Sequence, residues 1–172
     1  DFVQVYTAPS LKPRRESGHV SLKKPGRMRW EYSDPERKVY VSDGREIVEY
    51  VDGDKFASRT SARDFDSVQG PFRFLLGKFN LRSDFGRIEV SGEAPIRAGC
   101  RVLRLIPKVK DQISEVLIEV FADFRLSRVT LIRSDRSRTD FIFSNIVENQ
   151  VIEEAIFKLN LPKGISVRNG RK

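Results

Sequence analysis

The stretch GHVSLKKPGRMRWEYSDPERKVYVSDGREIVEY, residues 18–50, decides the fold. Within it apolar and polar residues alternate with period two. Met28, Trp30 and Tyr32 fall on one side of a strand, and Arg27, Arg29 and Glu31 on the other. Pro25-Gly26 marks a turn, and Asp43-Gly44 is a two-residue hairpin signal. The pattern predicts strands over 18–24, 27–33, 38–43 and 46–51.

The same period continues outward in both directions. Strands are expected over 2–7, 55–60, 86–92, 100–106, 113–122, 127–134, 139–146 and 156–161, with a last short one at 165–167. A Pro/Arg/Lys-rich break occupies 8–15. Short strands at this spacing are the signature of a meandering β-sandwich or barrel. One segment departs from it. In SVQGPFRFLLGKFN (67–80), Phe72, Leu75, Leu76 and Phe79 recur at helical spacing behind Pro71, a residue suited to the first helical position. A short amphipathic helix is predicted there, and a weaker helical turn at 151–155.

Alternation also assigns faces. Val116, Ile118 and Val120 oppose Glu115, Leu117 and Glu119; Val129 and Leu131 oppose Arg128 and Thr130; Phe141 and Phe143 oppose Asp140, Ile142 and Ser144. One side of the sheet is therefore expected to be apolar and concave, the other charged and convex. Each inward aromatic adds apolar surface to hide, at roughly 25 cal/mol per Å². Strands that fill their own interior and a partly open barrel that takes an apolar ligand both satisfy this pattern.

The chain has 172 residues, enough for one domain. Its 39% hydrophobic content supports a core and argues against disorder. Cys100 is the single cysteine, which excludes an internal disulfide and a multi-thiolate metal site. His19, the single histidine, stands beside Gly18 without acidic or cysteine neighbours at ligand spacing. Asp64, Asp66 and Asp84 lack metal-ligand spacing, and no phosphate-binding glycine loop occurs. No enzymatic activity, metal or cofactor is expected. The charge of +8 comes partly from clusters at Lys12, Arg14 and Arg15, at Lys23, Lys24, Arg27 and Arg29, and at Arg133, Arg136 and Arg138. A basic β-module for nucleic acid is one reading of these. Against it, Trp30 and Tyr32 face away from Arg27 and Arg29, so stacking and charge would not cooperate. No nucleic-acid partner is expected. No apolar run approaches the roughly 20 residues of a spanning helix. The first residues lack a secretory-signal pattern, and the chain opens inside a predicted strand, so further native residues are expected upstream.

The ordered motifs carry a resemblance. Phe2-x-Gln4, Lys24-Pro25, Trp30, Pro35, Ser42-Asp43-Gly44 and Tyr50 follow one another as in the periplasmic outer-membrane lipoprotein carrier family, LolA. Pro71-Phe72 with Leu75 and Leu76 looks like that family's short central helix, and LPKGISV (161–167) is similar to its ending. The resemblance covers nearly the whole chain. It implies a mainly β fold, an unclosed antiparallel barrel of about 11–12 strands with short helices over an apolar cavity, as one lipoprotein-carrier domain over 1–172. It implies a periplasmic carrier that takes acylated lipoproteins from an inner-membrane ABC transporter to an outer-membrane acceptor. A related amphiphile-binding protein of the same fold, the acceptor itself or a glycolipid carrier, is the alternative.

Under that resemblance the lipid-binding set is Met28, Trp30, Tyr32, Phe72, Leu75, Leu76, Val116, Ile118, Val129, Leu131, Phe141 and Phe143. Lys24 takes the place of the lid latch, commonly arginine in the family; lysine keeps the charge but loses the planar five-donor fork. Lys23, Arg27 and Arg29 are expected to dock partners by charge complementarity. The family's N-terminal amphipathic helix has no counterpart in the chain as it stands, and a monomer is the simplest expectation.

Overall fold

The computed structural model describes residues 1–61, 80–109 and 112–170. Strands β1 (Phe2–Thr7), β2 (Arg14–Lys23), β3 (Arg27–Asp34), β4 (Lys38–Asp43), β5 (Glu46–Val51) and β6 (Phe56–Ser61) come first. A four-residue helix, α1 (Leu81–Asp84), leads into β7 (Phe85–Val90). Then follow β8 (Arg101–Pro107), β9 (Ile113–Val120), β10 (Leu126–Arg133), β11 (Arg138–Phe143), a 3-10 turn (Glu154–Phe157) and β12 (Ser166–Asn169). The twelve strands form one open sheet in the order β12-β6-β5-β4-β3-β2-β1-β11-β10-β9-β8-β7. The mainly β architecture expected from the alternation and the unclosed sheet implied by the family resemblance are thus present.

Contacts divide the chain into two compact units. The first takes residues 1–15 and 79–146. In it β1 pairs β11, and β10 pairs both β11 and β9, all antiparallel. β8 lies antiparallel between β9 and β7. Asn80 caps α1, its side-chain oxygen accepting from the N–H groups of Arg82 and Ser83. The second unit takes 16–78 and 147–172. There β2 through β6 form an antiparallel meander, and β12 joins β6 in parallel.

Turn chemistry holds the second unit's register. The Asp43 carboxylate accepts from the backbone N–H groups of Arg45 and Glu46 at 2.8 and 2.9 Å. Burial alone would raise the Asp43 pKa, but these donors hold it below the usual range. Gly44 adopts φ +98°, which the hairpin requires. The buried Ser42 hydroxyl donates to the Gly26 carbonyl at 3.0 Å and accepts from Gly44 N–H at 3.1 Å. The β2–β3 turn and the β4–β5 turn are thereby tied together. This is the physical content of the Ser-Asp-Gly motif.

Two expectations are corrected. The strand predicted at 156–161 is instead a 3-10 turn at Glu154–Phe157. Its backbone is satisfied locally, Ile156 N–H donating to Glu153 and Lys158 N–H to Ala155, while β12 takes the edge of β6 where another strand would have paired. The helical turn expected at 151–155 is displaced to this position. The second correction concerns the charged face. Glu119 and Thr130 are fully buried and Arg128 is 4% exposed, so this face is covered in β9 and β10. The segment before β8 is bonded to it: Ile96 N–H donates to Glu119, and the Arg97 guanidinium donates to the Phe143 carbonyl at 2.7 Å. Of the helix predicted at 67–80, all but Asn80, including Phe72, Leu75 and Leu76, lies outside the described residues.

A shift of register between Ser17 and Gly18 brings Gly18 against β3. A Cβ there would run into the Glu31 carbonyl, with the carbonyl carbon 2.8 Å away. Gly18→Ala is expected to destabilise the chain by about 1–3 kcal/mol through this overpacking. Urea denaturation reads the loss, and an unchanged midpoint would contradict the close approach.

Candidate functional site

In the first unit the pairing registers assemble one apolar face from separate strands. Val90, Leu103, Ile118, Val129 and Phe141 form a row across β7, β8, β9, β10 and β11. Leu105, Val116 and Leu131 form the next. Phe143 stands opposite Phe2 of β1. Val116, Val129, Leu131, Phe141 and Phe143 are buried, Leu131 completely. Exposure rises along the first row toward β7: Val129 is buried, Ile118 and Leu103 are half-buried, and Val90 is 71% exposed. This unit therefore presents a packed apolar floor that opens at one end into accessible aliphatic surface.

The reverse face holds the floor in place through charge. Arg128 lies 3.0 Å from Glu93, 3.1 Å from Glu119 and 3.5 Å from Asp140. Arg138 donates to both Glu93 oxygens at 2.9 and 2.7 Å, and to Asp140. Ser127 and Thr130 complete the set by donating to Glu119 and Asp140. Hydrogen bonding from Arg138 outweighs burial at Glu93, and the nearby Arg128 charge adds to it, so the Glu93 carboxyl is held below its ordinary pKa. Further along, Arg104 grips Glu115 through two hydrogen bonds of 2.7 and 2.6 Å and reaches Glu89 at 3.0 Å. Residues 93, 119, 128 and 138 are far apart in sequence, and no local spacing announces them as partners.

In the second unit Met28 and Trp30 are fully buried and Tyr32 nearly so. Cross-strand pairing sets Met28 beside Leu22 and Ser42, and Trp30 beside Val20 and Tyr40. Tyr32 and Tyr40 meet edge to face at 6.0 Å, and the Lys38 ammonium lies 4.2 Å from the Tyr32 ring centre. Lys38 also donates to the buried Glu16 at 2.6 Å. The opposite side of β3 faces the C-terminal segment. Lys23 donates to the Ile152 carbonyl at 2.8 Å and Arg29 to the Ile156 carbonyl at 3.1 Å. Lys23 and Arg27 both pair with Glu154, at 2.7 and 3.1 Å, and hold its carboxyl below the ordinary range. Phe157 is buried in this segment.

Beside these contacts is a cleft of about 630 Å³ lined by Leu22, Lys23, Lys24, Arg27, Val147, Glu148, Asn149, Gln150 and Ile152. Lys24 is exposed on its rim. The structure thus groups Met28 with Trp30 and Tyr32, and separately Val116, Ile118, Val129, Leu131, Phe141 and Phe143. It engages Lys23, Arg27 and Arg29 in intrachain bonds, which their positions on the polar side of a strand did not reveal. Among the described residues no group of three or more His, Cys, Asp or Glu is placed to hold a metal ion. None of the helices among them is long and apolar enough to cross a membrane.

The family described as outer membrane lipoprotein carrier protein LolA matches residues 1–160. An outer-membrane lipoprotein carrier protein of Nitrosomonas europaea is 27% identical over 159 residues, covering 90% of this chain and 73% of its own. The one from Methylococcus capsulatus is 29% identical over 170 residues, covering 97% and 78%. Among solved structures, an uncharacterized conserved protein of Thermus thermophilus aligns with TM-score 0.54 at 14% identity, over 98% of this chain and 90% of that one. A LolA superfamily protein of Nitrosomonas europaea aligns at 0.50 and 13%, over 92% and 88%. These last two likenesses concern the fold alone.

The charge cluster sets an acid limit on stability. A carboxylate whose folded pKa is depressed contributes stability above its unfolded pKa and loses it as pH falls through the folded value. Glu93 therefore stabilises the chain at neutral pH, and this contribution declines below about pH 4.3, the ordinary glutamate value. Glu93→Gln is expected to lower the urea midpoint at pH 7 and to reduce the difference between pH 7 and pH 3. An equal pH dependence in both proteins would show that Glu93 does not titrate with folding.

Proposed function

The chain belongs to the LolA family of outer-membrane lipoprotein carriers, and from that premise we propose that it binds the acyl chains of lipoproteins and carries them through the periplasm. Its cargo would come from an inner-membrane ABC transporter and pass to an outer-membrane acceptor, with the whole chain serving as one carrier domain and no bond made or broken. The observation that supports this reading is the apolar row in which Val129, Ile118, Leu103 and Val90 run from buried to exposed. Such a row offers aliphatic surface on a floor that is already packed.

The mechanism is desolvation. Each methylene moved out of water is worth about 0.8 kcal/mol, so chains of lipoprotein length are held without any covalent step. Uptake from one membrane and release to another require the carrier-bound state to lie close in free energy to both. A rim of half-buried aliphatic side chains suits this better than a deep, rigid pocket. Val116, Ile118, Val129, Leu131, Phe141 and Phe143 are assigned to the acyl-binding floor of the first unit, and Met28, Trp30 and Tyr32 to that of the second. Phe72, Leu75 and Leu76 are assigned to the cover and Lys24 to its latch, by family resemblance. Lys23, Arg27 and Arg29 are assigned to a basic docking rim, in addition to their bonds to the C-terminal segment.

Ile118 tests this best, because it is half-buried on the floor and a polar replacement there is tolerated better than at the fully buried Leu131. In detergent-free size exclusion the protein is expected to hold a triacylated lipoprotein in a one-to-one soluble complex and to leave the unacylated form free. Ile118→Glu is expected to weaken the complex at least tenfold, about 1.4 kcal/mol, with the β circular dichroism unchanged. Full binding by this variant would remove Ile118 from the site, and failure of the parent chain to bind acylated cargo would overturn the carrier reading.

Lys24→Glu is expected to slow transfer to the acceptor several-fold. Transfer at the parent rate would remove Lys24 from the latch.

A further inference from the structure

β7 is an edge strand, and among the described residues it is paired along one side only, to β8. Its middle is exposed: Ile88 is 45% and Val90 71% accessible. Antiparallel pairing dictates which backbone groups turn away from β8 and have no partner among the described residues. Ser91 N–H donates to the Val102 carbonyl at 2.8 Å, and the register then pairs Glu89 with Arg104 and Arg87 with Ile106. Because hydrogen-bonded and non-hydrogen-bonded residues alternate along such a strand, Arg87 and Glu89 turn their backbone groups toward β8. Those of Ile88 and Val90 point to the open edge.

Exposed edges are commonly guarded by charged side chains, proline or bulges. This edge has a register shift between Phe85 and Arg87, and beyond it the two charges it carries are of opposite sign. Arg87 and Glu89 flank Ile88 on one face, with Arg87 bound to Glu89 at 2.6 Å and 69% exposed. When two copies of the strand run antiparallel about a two-fold axis through Ile88, Arg87 of each lies opposite Glu89 of the other. That position is a non-hydrogen-bonded pair, where side chains come closest, with Cα atoms about 4.5 Å apart. Ile88 of each copy exchanges its free N–H and C=O with Ile88 of the other on the axis, and the two isoleucine side chains meet on the apolar face. Backbone register, charge and apolar contact therefore all select the same pairing. The opposite edge, β12, offers no equivalent: it carries Arg168 and no carboxylate, and Arg168 is held over the Phe56 ring at 4.3 Å.

We propose that β7 is a self-complementary docking edge through which a second copy of this chain pairs antiparallel, with Arg87 opposite Glu89. The isologous geometry is that of a two-fold dimer. A single strand on each side is far smaller than the roughly 20–30 residues a side of a standard interface, so the association is weak and reversible. It does not rest on the cargo reading, since it uses the backbone edge of β7, the charges of Arg87 and Glu89, and Ile88.

Sedimentation equilibrium of the full chain from micromolar to millimolar concentration tests it. The mass is expected to rise from 19.8 kDa toward twice that value. Arg87→Glu places carboxylates against carboxylates and is expected to weaken dimerisation at least tenfold. Glu89→Arg does the same with guanidinium groups, while Arg104 keeps its hydrogen bonds to Glu115. An equimolar mixture of the two variants restores opposite charges at both positions and is expected to regain the parent's association as a heterodimer. A parent chain that stays monomeric, an Arg87→Glu variant that associates like the parent, or a mixture that stays dissociated would each overturn the proposal.

Discussion

The guanidinium of Arg128 lies almost wholly buried among the carboxylates of Glu93, Glu119 and Asp140. Much of the first unit depends on it. Alternation along β10 means that an Arg128 facing the carboxylates puts Val129 and Leu131 on the apolar side. A slip of one residue would reverse both. The slip would also leave a buried charge without partners, a change that costs about 3–5 kcal/mol. The cluster thus stabilises one register against its neighbours. It also anchors the segment carrying Glu93 and Ile96 onto the sheet, which is why a face expected to be solvated is covered.

The second unit solves the same problem with smaller groups. Ser42 ties two turns together with one hydroxyl, and Asp43 closes the hairpin through two backbone donors. With the turns set, Met28, Trp30 and Tyr32 have no choice of side. The strand's other side then carries Lys23, Arg27 and Arg29, which clasp carbonyls and the carboxylate of the C-terminal segment. Those basic residues have structural work besides any docking. Lys24, one residue along, stays exposed at the cleft rim.

A carrier of acyl chains has to hold its cargo and give it up. Under the proposed carrier reading, the gradient from the buried Val129 to the exposed Val90 provides a way to do both, with the packed part of the row shaping the floor and the open part left for the cargo. The same open end reaches the free edge at β7. The proposed cargo surface and the proposed docking edge lie on adjoining positions of one strand, with Val90 and Ile88 on the apolar face and Arg87 and Glu89 on the charged one.

Most of the strands were legible from the sequence, because their period of two is a local property: a residue's side follows from its neighbours alone. β1, β4 and β5 fall on their predicted bounds, and the sides of Val116, Ile118, Val129, Leu131, Phe141 and Phe143 were assignable before any strand was paired with another, whereas Val90, Leu103 and Leu105 joined that face only through pairing. The family was legible too, through the order of turn residues whose chemistry is equally local. What the tertiary structure decided was everything that depends on which strands meet. IFKLNL has a strand's alternation but opens in a 3-10 turn at 154–157, whose backbone donors bond locally and whose Ile156 carbonyl accepts from Arg29 of β3. Glu119 and Arg128 read as surface charges and are buried, because ion partners from distant parts of the chain replace water. Local alternation specifies the side on which a residue stands; whether water or another segment covers that side is settled only when the chain has folded.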